Sequence, residues 1–213
     1  MDKELREILL ELKHVPHEIW KQYIISKDLY ARHFKADDYA FIAKKATEVG
    51  NALAENTLAK YGSISEILSS MNLNLSYGTK DQFLMPNKIN FAQYYNNSIL
   101  MSQEFIHAIE SDKAELIDIF GDFEIEDLII SHELFHYFEE KDLVSKNAGV
   151  KINVNIIPFI KQKISPDSAG EIAAFAFSQA FCHYNFYPCC MEAVYIWKQN
   201  PKLLIKIRDK LIT

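Results

Sequence analysis

The sequence predicts an α+β fold, predominantly helical, in which a small mixed or antiparallel sheet packs against the helices that carry the chemistry. Three observations predict it. Apolar residues recur at helical spacing through most of the first 70 residues and again beyond residue 103. Gly and Pro number only 6 each in 213 residues, too few for the many tight turns of an all-β chain. Between residues 71 and 102 the texture changes to short alternating runs bounded by Asn. No internal repeat, low-complexity stretch or Gly/Ser linker divides the chain, which reads as one domain over 1–213. It has a helical part (1–70), a small sheet (71–102) and a second helical part (103–213).

The elements follow in order. Leu5, Ile8, Leu9 and Leu12 make an apolar stripe that Pro16 interrupts. A second helix is expected from Glu18 to His33. A third runs from Asp37 to about Lys60, with Tyr39, Ile42, Ala43, Ala46, Val49 and Leu53 on one face, and stops at Gly62, where left-handed backbone is wanted. His14, His17 and His33 read as surface or capping residues. Asn72 to Tyr77 alternates, Gly78 and Asn87 punctuate, and Phe91 to Tyr95 and Ser98 to Met101 are short β-prone runs, giving three or four strands.

A helix is expected from Gln103 to Phe120, closed by Gly121, with Asp122 placed to cap the next. That next helix, Ile125 to Lys141, reads IEDLIISHELFHYFEEK, acidic at its start and strongly apolar in its middle. Residues 142–164 admit two readings: Val150, Ile152, Val154 and Ile156 alternate like a strand, whereas IIPFIKQKI fits a helix broken at Pro158. Ser165-Pro166 opens another helix through EIAAFAFSQAFCHY, and Pro188 and Pro201 mark the starts of the last ones.

Charge and composition exclude some classes. The net charge is −6 and the pI about 5.7, and no dense Lys/Arg patch occurs, so neither nucleic acid nor an anionic membrane is an expected partner. The stretch MDKELREILLELKH lacks a basic region followed by an apolar one, and no run approaches the ~18 apolar residues of a membrane span, which predicts a cytoplasmic protein. Cys182, Cys189 and Cys190 are odd in number and lack the spacer of a zinc knuckle, so they read as buried, reduced thiols.

The chemistry gathers at His132-Glu133-Leu134-Phe135-His136, an HExxH motif. Residues four apart on a helix lie on one face, so both imidazoles can reach one ion, while Glu133, about 100° round the helix, faces the ion's water. Three polar groups amid Ile129, Ile130, Leu134, Phe135 and Phe138 are costly to bury unless partnered, and a metal is such a partner. A catalytic zinc takes three protein ligands and leaves a fourth position open. Candidates for the third are Glu139, Glu140, Asp142, Asp167, Glu171 and His183. Glu139 and Glu140 read as a solvated helix end. Glu171 is favoured as the lone acid in EIAAFAFSQAF, beside small Ala173 and Ala174 that permit close helix approach. The competing reading makes Ser168 to Glu171 a capping box.

With HELFH followed some thirty-five residues later by Glu171-Ile-Ala-Ala-Phe175-Ala176, the chain resembles the zincin metallopeptidases whose third ligand is a glutamate. It is most similar to the ImmA/IrrE-type group over roughly residues 90 to 185, although Phe135 stands where that pattern has Gly and Ile172-Ala173 where it has Ala-Asn. The resemblance implies a zincin-like fold with one Zn2+ per chain, His132, His136 and Glu171 as ligands, and Glu133 as catalytic base. It further implies that Ser98 to Ser102, with Ile99, Leu100 and Met101 at its centre, is the edge strand that pairs with an extended peptide or protein substrate. Tyr184 and His183, about three and a half turns beyond Glu171, are candidate donors to the oxyanion, as are Tyr94 and Tyr95. The expected function is zinc-dependent peptide hydrolysis. The alternative is a zincin-like regulatory or interaction protein that keeps its zinc with little turnover.

Overall fold

The computed structural model describes residues 1–85, 88–89, 91–157 and 160–212. Asp2 caps the first helix, α1 (Lys3–Lys13), by accepting from Glu4 N at 2.8 Å, and the expected stripe of Leu5, Ile8, Leu9 and Leu12 is buried. The second helix, α2 (His17–Ile25), ends earlier than the sequence predicts, and only a 3₁₀ turn at Ala31–His33 follows. The reason is Asp28. Its carboxylate accepts from Tyr30 N (3.0 Å) and, across 140 residues, from Ser168 N (2.9 Å), which holds the chain in a turn. Then α3 (Ala36–Tyr61) runs as expected to Gly62, at φ 71°, and α4 (Ile64–Ser70) is capped by Ser63.

The sheet region contains β1 (Asn74–Gly78), β2 (Leu84–Met85), β3 (Lys88–Ile89), β4 (Ala92–Tyr95) and β5 (Ser98–Ser102). The three-stranded sheet has the order β1-β5-β4, with β1 parallel and β4 antiparallel to β5, and among the described residues β2 pairs with β3 in a separate two-stranded ribbon. The expectation of an edge strand at Ile99, Leu100 and Met101 is therefore corrected. β5 is the central strand, with Ile99 and Met101 fully buried, and β4 takes the edge. Asn87 and Pro158, read in the sequence as punctuation and as a helix break, lie outside the described residues.

The helix expected over Gln103–Phe120 is two, α5 (Gln103–Glu110) and α6 (Lys113–Phe120). The break falls at Asp112, 8 % exposed, whose carboxylate pairs with Lys198 Nζ at 2.8 Å. After Gly121 (φ 83°) comes α7 (Ile125–Glu140), whose N-cap is Glu124 and not Asp122. Between residues 142 and 164 the strand reading prevails: β6 (Ile152–Ile157) and β7 (Ile160–Ile164) form an antiparallel pair, with Ile152 and Val154 buried and Asn153 and Asn155 exposed. The chain ends in α8 (Asp167–Phe181), α9 (Cys189–Gln199) and α10 (Pro201–Ile212).

One cluster of buried apolar residues extends from Leu5 to Leu211, with Phe120, Phe135, Phe177 and Phe186 among its largest members. Each such ring contributes roughly 1.5–3 kcal/mol when fully buried. At its centre α8 packs against both α3 and α7. The architecture is thus predominantly helical α+β with a small mixed sheet, and no described helix is long and apolar enough to cross a membrane.

Candidate metal centre

His132, Glu133 and His136 stand on consecutive turns of α7, and Glu171 stands in the second turn of α8. Their relative positions are fixed by a buried hydroxyl pair. Ser131 Oγ donates to Ser178 Oγ at 2.7 Å, and Ser178 Oγ donates to the Leu128 carbonyl at 3.0 Å, locking α7 to α8 beside His132. From the other end, Asp28 holds the first turn of α8 through Ser168 N. Ser168 is already inside the helix, and its hydroxyl, buried, has no partner among the described residues. The capping-box reading of Glu171 is thereby overturned.

His132 Nε2 lies 3.3 Å from His136 Nε2 and 3.4 Å from Glu171 Oε2. The three ligand atoms all fall within 4.8 Å of one another. For bonds of 2.0–2.1 Å in a tetrahedron the edges are about 3.3–3.4 Å, so the two shortest separations are those of donors around one small cation. The donors also call for positive charge. Burial alone would lower the His136 pKa, but the hydrogen bond to Glu139 and the charges of Glu133 and Glu171 outweigh it and push it up to about 9. Without a proton or a metal, the nitrogen lone pairs of the two rings would meet head-on.

Glu139, read from the sequence as a solvated helix end, is 11 % exposed and sits with Oε2 at 3.1 Å from His136 Nδ1. With Nδ1–H donating to this carboxylate, Nε2 is left free to face the centre, the usual arrangement behind a metal-bound imidazole. Phe175, four residues beyond Glu171, lies against the His132 ring with centroids 4.6 Å apart. The carboxylate of Glu133 accepts from Tyr94 N at 2.9 Å. Alternate peptide groups of an antiparallel strand face opposite sides, so this donor on the outer side of β4 reaches α7 without loss to the sheet.

The structure brings His132, Glu133, His136 and Glu171 together in the lining of one cleft of about 830 Å³, with Ala92, Gln93 and Tyr94 of β4 along its wall. It does not bring Tyr184, His183 or Tyr95 there. Tyr184 Oη donates to the Glu124 carbonyl (3.1 Å) and accepts from Glu124 N (3.0 Å), closing the start of α7. His183 is exposed, in a left-handed turn (φ 58°) past the end of α8. Ten residues of helix, about 15 Å, separate Glu171 from the turn that carries both. Tyr95 is exposed, and Tyr94 Oη reaches Asn97 Oδ1 at 3.2 Å. Sequence reasoning missed Glu139, the backbone of β4 and the Asp28 cap. The first had a signal, one turn after His136 on the same helix face; the others depend on non-local pairing.

Comparison of the chain with family models, with curated proteins and with solved structures finds no match in any of the three.

Proposed function

We propose that the chain is a zinc-dependent metallohydrolase of zincin type, a single-domain cytoplasmic peptidase acting on extended peptides or proteins. The observation that carries the reading is the pair of ligand separations, 3.3 and 3.4 Å, beside a carboxylate that opens into the same cleft. Two imidazoles and one carboxylate with an accessible fourth side are the donor set of catalytic zinc, whereas structural zinc closes all four positions with protein. The resemblance of HELFH and EIAAFA to the ImmA/IrrE-type zincins supports the same reading.

Zinc held by His132, His136 and Glu171 would acidify a water towards a pKa of ~7 and polarise the scissile carbonyl. Glu133 takes the water's proton and returns it to the leaving amine, with the Tyr94 N–H holding its carboxylate in place. Glu139 keeps His136 in the tautomer that presents Nε2. The outer edge of β4 offers backbone donors and acceptors to an extended chain, replacing β5 in that role.

Elemental analysis of the purified protein and hydrolysis of a mixed peptide library test this together. The expected result is one zinc per chain, lost in His132→Ala. Glu133→Gln is expected to keep zinc but lose hydrolysis by about 10²–10⁴-fold. Zinc bound without cleavage of any peptide by the wild-type protein would overturn the peptidase and leave a zinc-binding regulatory protein.

A further inference from the structure

Two residues of the cleft lining, Ser168 and Trp20, are only 5 % and 3 % exposed, yet Ser168 Oγ and Trp20 Nε1 have no hydrogen-bond partner among the described residues. Ser168 belongs to the stripe of α8 that faces the cleft. It precedes Glu171 by three residues and Phe175 by seven, the spacing of one helix face, and all three line the cavity. A helical serine commonly returns its hydroxyl to a carbonyl three or four residues back. Here the carbonyl three residues back, that of Ser165, accepts from Asn147 Nδ2 at 3.2 Å, and Ser168 Oγ stays unbonded. Having no bond to give up, the hydroxyl can turn between staggered χ1 positions at little cost.

Trp20 comes from α2, which packs against α8 and lies outside the part of the chain that resembles the zincins. Trp20, Tyr23 and Ile24 present one face of α2 to the same cleft. The indole is held by stacking on Tyr187, with centroids 5.9 Å apart at 16°, and by Tyr23 edge-on at 6.5 Å. An indole nitrogen only donates and a hydroxyl can donate, so the two call for an acceptor. Buried donors without one are costly. An acid would be repelled by the carboxylates beside Ser168, that of Asp28, which accepts from Ser168 N at 2.9 Å, and that of the adjoining Asp167. A neutral carbonyl oxygen fits.

A bound peptide has such oxygens to offer. Alternate peptide groups of an extended chain face opposite edges, so a peptide lying along β4 turns half its carbonyls away from that strand. β4 and α8 both pack against α7, β4 on the side of Glu133 and α8 on that of Glu171. We propose that Ser168 Oγ and Trp20 Nε1 form a subsite for a main-chain carbonyl of the substrate, on the wall of the cleft built by α2 and α8. The proposal rests on the peptidase reading for its substrate, and its test separates the two.

In a Trp197→Phe background Trp20 is the only indole and gives a single indole peak in a nitrogen–proton correlation spectrum. That peak is followed during titration with the diamide Nα-acetyl-alanine N-methylamide and with the acid Nα-acetyl-alanine. The diamide is expected to move the peak downfield and to half-saturate at roughly tenfold lower concentration than the acid. Ser168→Ala should raise the diamide's half-saturation about three- to tenfold. Its urea midpoint should stay at or above that of the wild type, because no bond of the free protein is lost. A peak that the diamide leaves in place or that both compounds move alike overturns the subsite, and so does an unchanged titration in Ser168→Ala. The comparison of diamide with acid decides even if that variant does not fold. In the library assay Ser168→Ala should raise KM by a similar factor with kcat unchanged, and a loss confined to kcat would contradict a binding role. Absence of all cleavage would count against the hydrolase, while the diamide titration still decides the subsite.

Discussion

Glu139 Oε2 lies 3.1 Å from Nδ1 of His136, on the opposite edge of the ring from the nitrogen that meets His132 at 3.3 Å. A carboxylate behind a ligand imidazole raises its basicity and fixes its orientation, and losing it typically costs 10–100-fold in metal affinity. Glu139→Ala is expected to weaken zinc binding by about that factor. Glu139→Gln should lose less, because its amide oxygen still accepts from Nδ1–H. Competition with a chromophoric chelator measures both, and wild-type affinity in Glu139→Ala would rule out the positioning role.

The same ring sets a pH dependence. In the metal-free protein His136 keeps its proton up to about pH 9, well above the usual 6.5. Zinc must displace that proton, so its apparent affinity should rise about tenfold per pH unit up to about 9 and then level off with respect to this group. Roughly one proton should be released per zinc at pH 7, as weakly buffered titration with an indicator dye would show. For the metal-free fold, a pKa raised on folding gives stability that is complete below pH 6.5 and is lost as pH rises through 9. Metal-free protein should therefore unfold more easily at pH 10 than at pH 6.

How far the centre was legible in the sequence follows from which interactions are local. HExxH, its helix and the lone acid of EIAAFAFSQAF are written in short-range periodicity, and α7 and α8 place them as read. Glu139 and Glu140 look alike in sequence, but neighbours on a helix differ by about 100°; the side chain of one is 11 % exposed and that of the other 53 %. The rank of β5 within its sheet was not legible because its parallel partner, β1, lies more than twenty residues upstream and pairing carries no local mark. The breaks after Ile25 and at Asp112 likewise come from partners far along the chain, Ser168 and Lys198.

Tyr184 gives a prediction in the negative. Its hydroxyl bonds both backbone groups of Glu124 at the start of α7 and takes no part in the cleft. Tyr184→Phe should cost about 1 kcal/mol of stability through the lost bonds, leaving zinc affinity unchanged within error. Urea denaturation and chelator competition read the two effects separately. A selective loss of hydrolysis in a normally stable Tyr184→Phe would restore it as an oxyanion donor.

Gly50 joins the scaffold to the centre. It lies on α3 where that helix meets α8, and a Cβ placed there would stand 2.3 Å from the Ala173 carbonyl and 2.9 Å from Ala176 Cβ. In an isolated helix Gly→Ala would stabilise by about 1 kcal/mol. Here the added methyl meets backbone, which cannot swing aside as a flexible side chain would, so α3 and α8 must separate at a cost of about 1–3 kcal/mol or more. Glu171 rides on α8 two residues before Ala173, whereas His132 and His136 ride on α7, so the displacement should open the carboxylate away from the imidazoles. Gly50→Ala is therefore expected to lower both the urea midpoint and the zinc affinity, although it touches no ligand. A variant as stable as wild type, with unchanged zinc binding, would show that the α3–α8 contact does not set the position of Glu171.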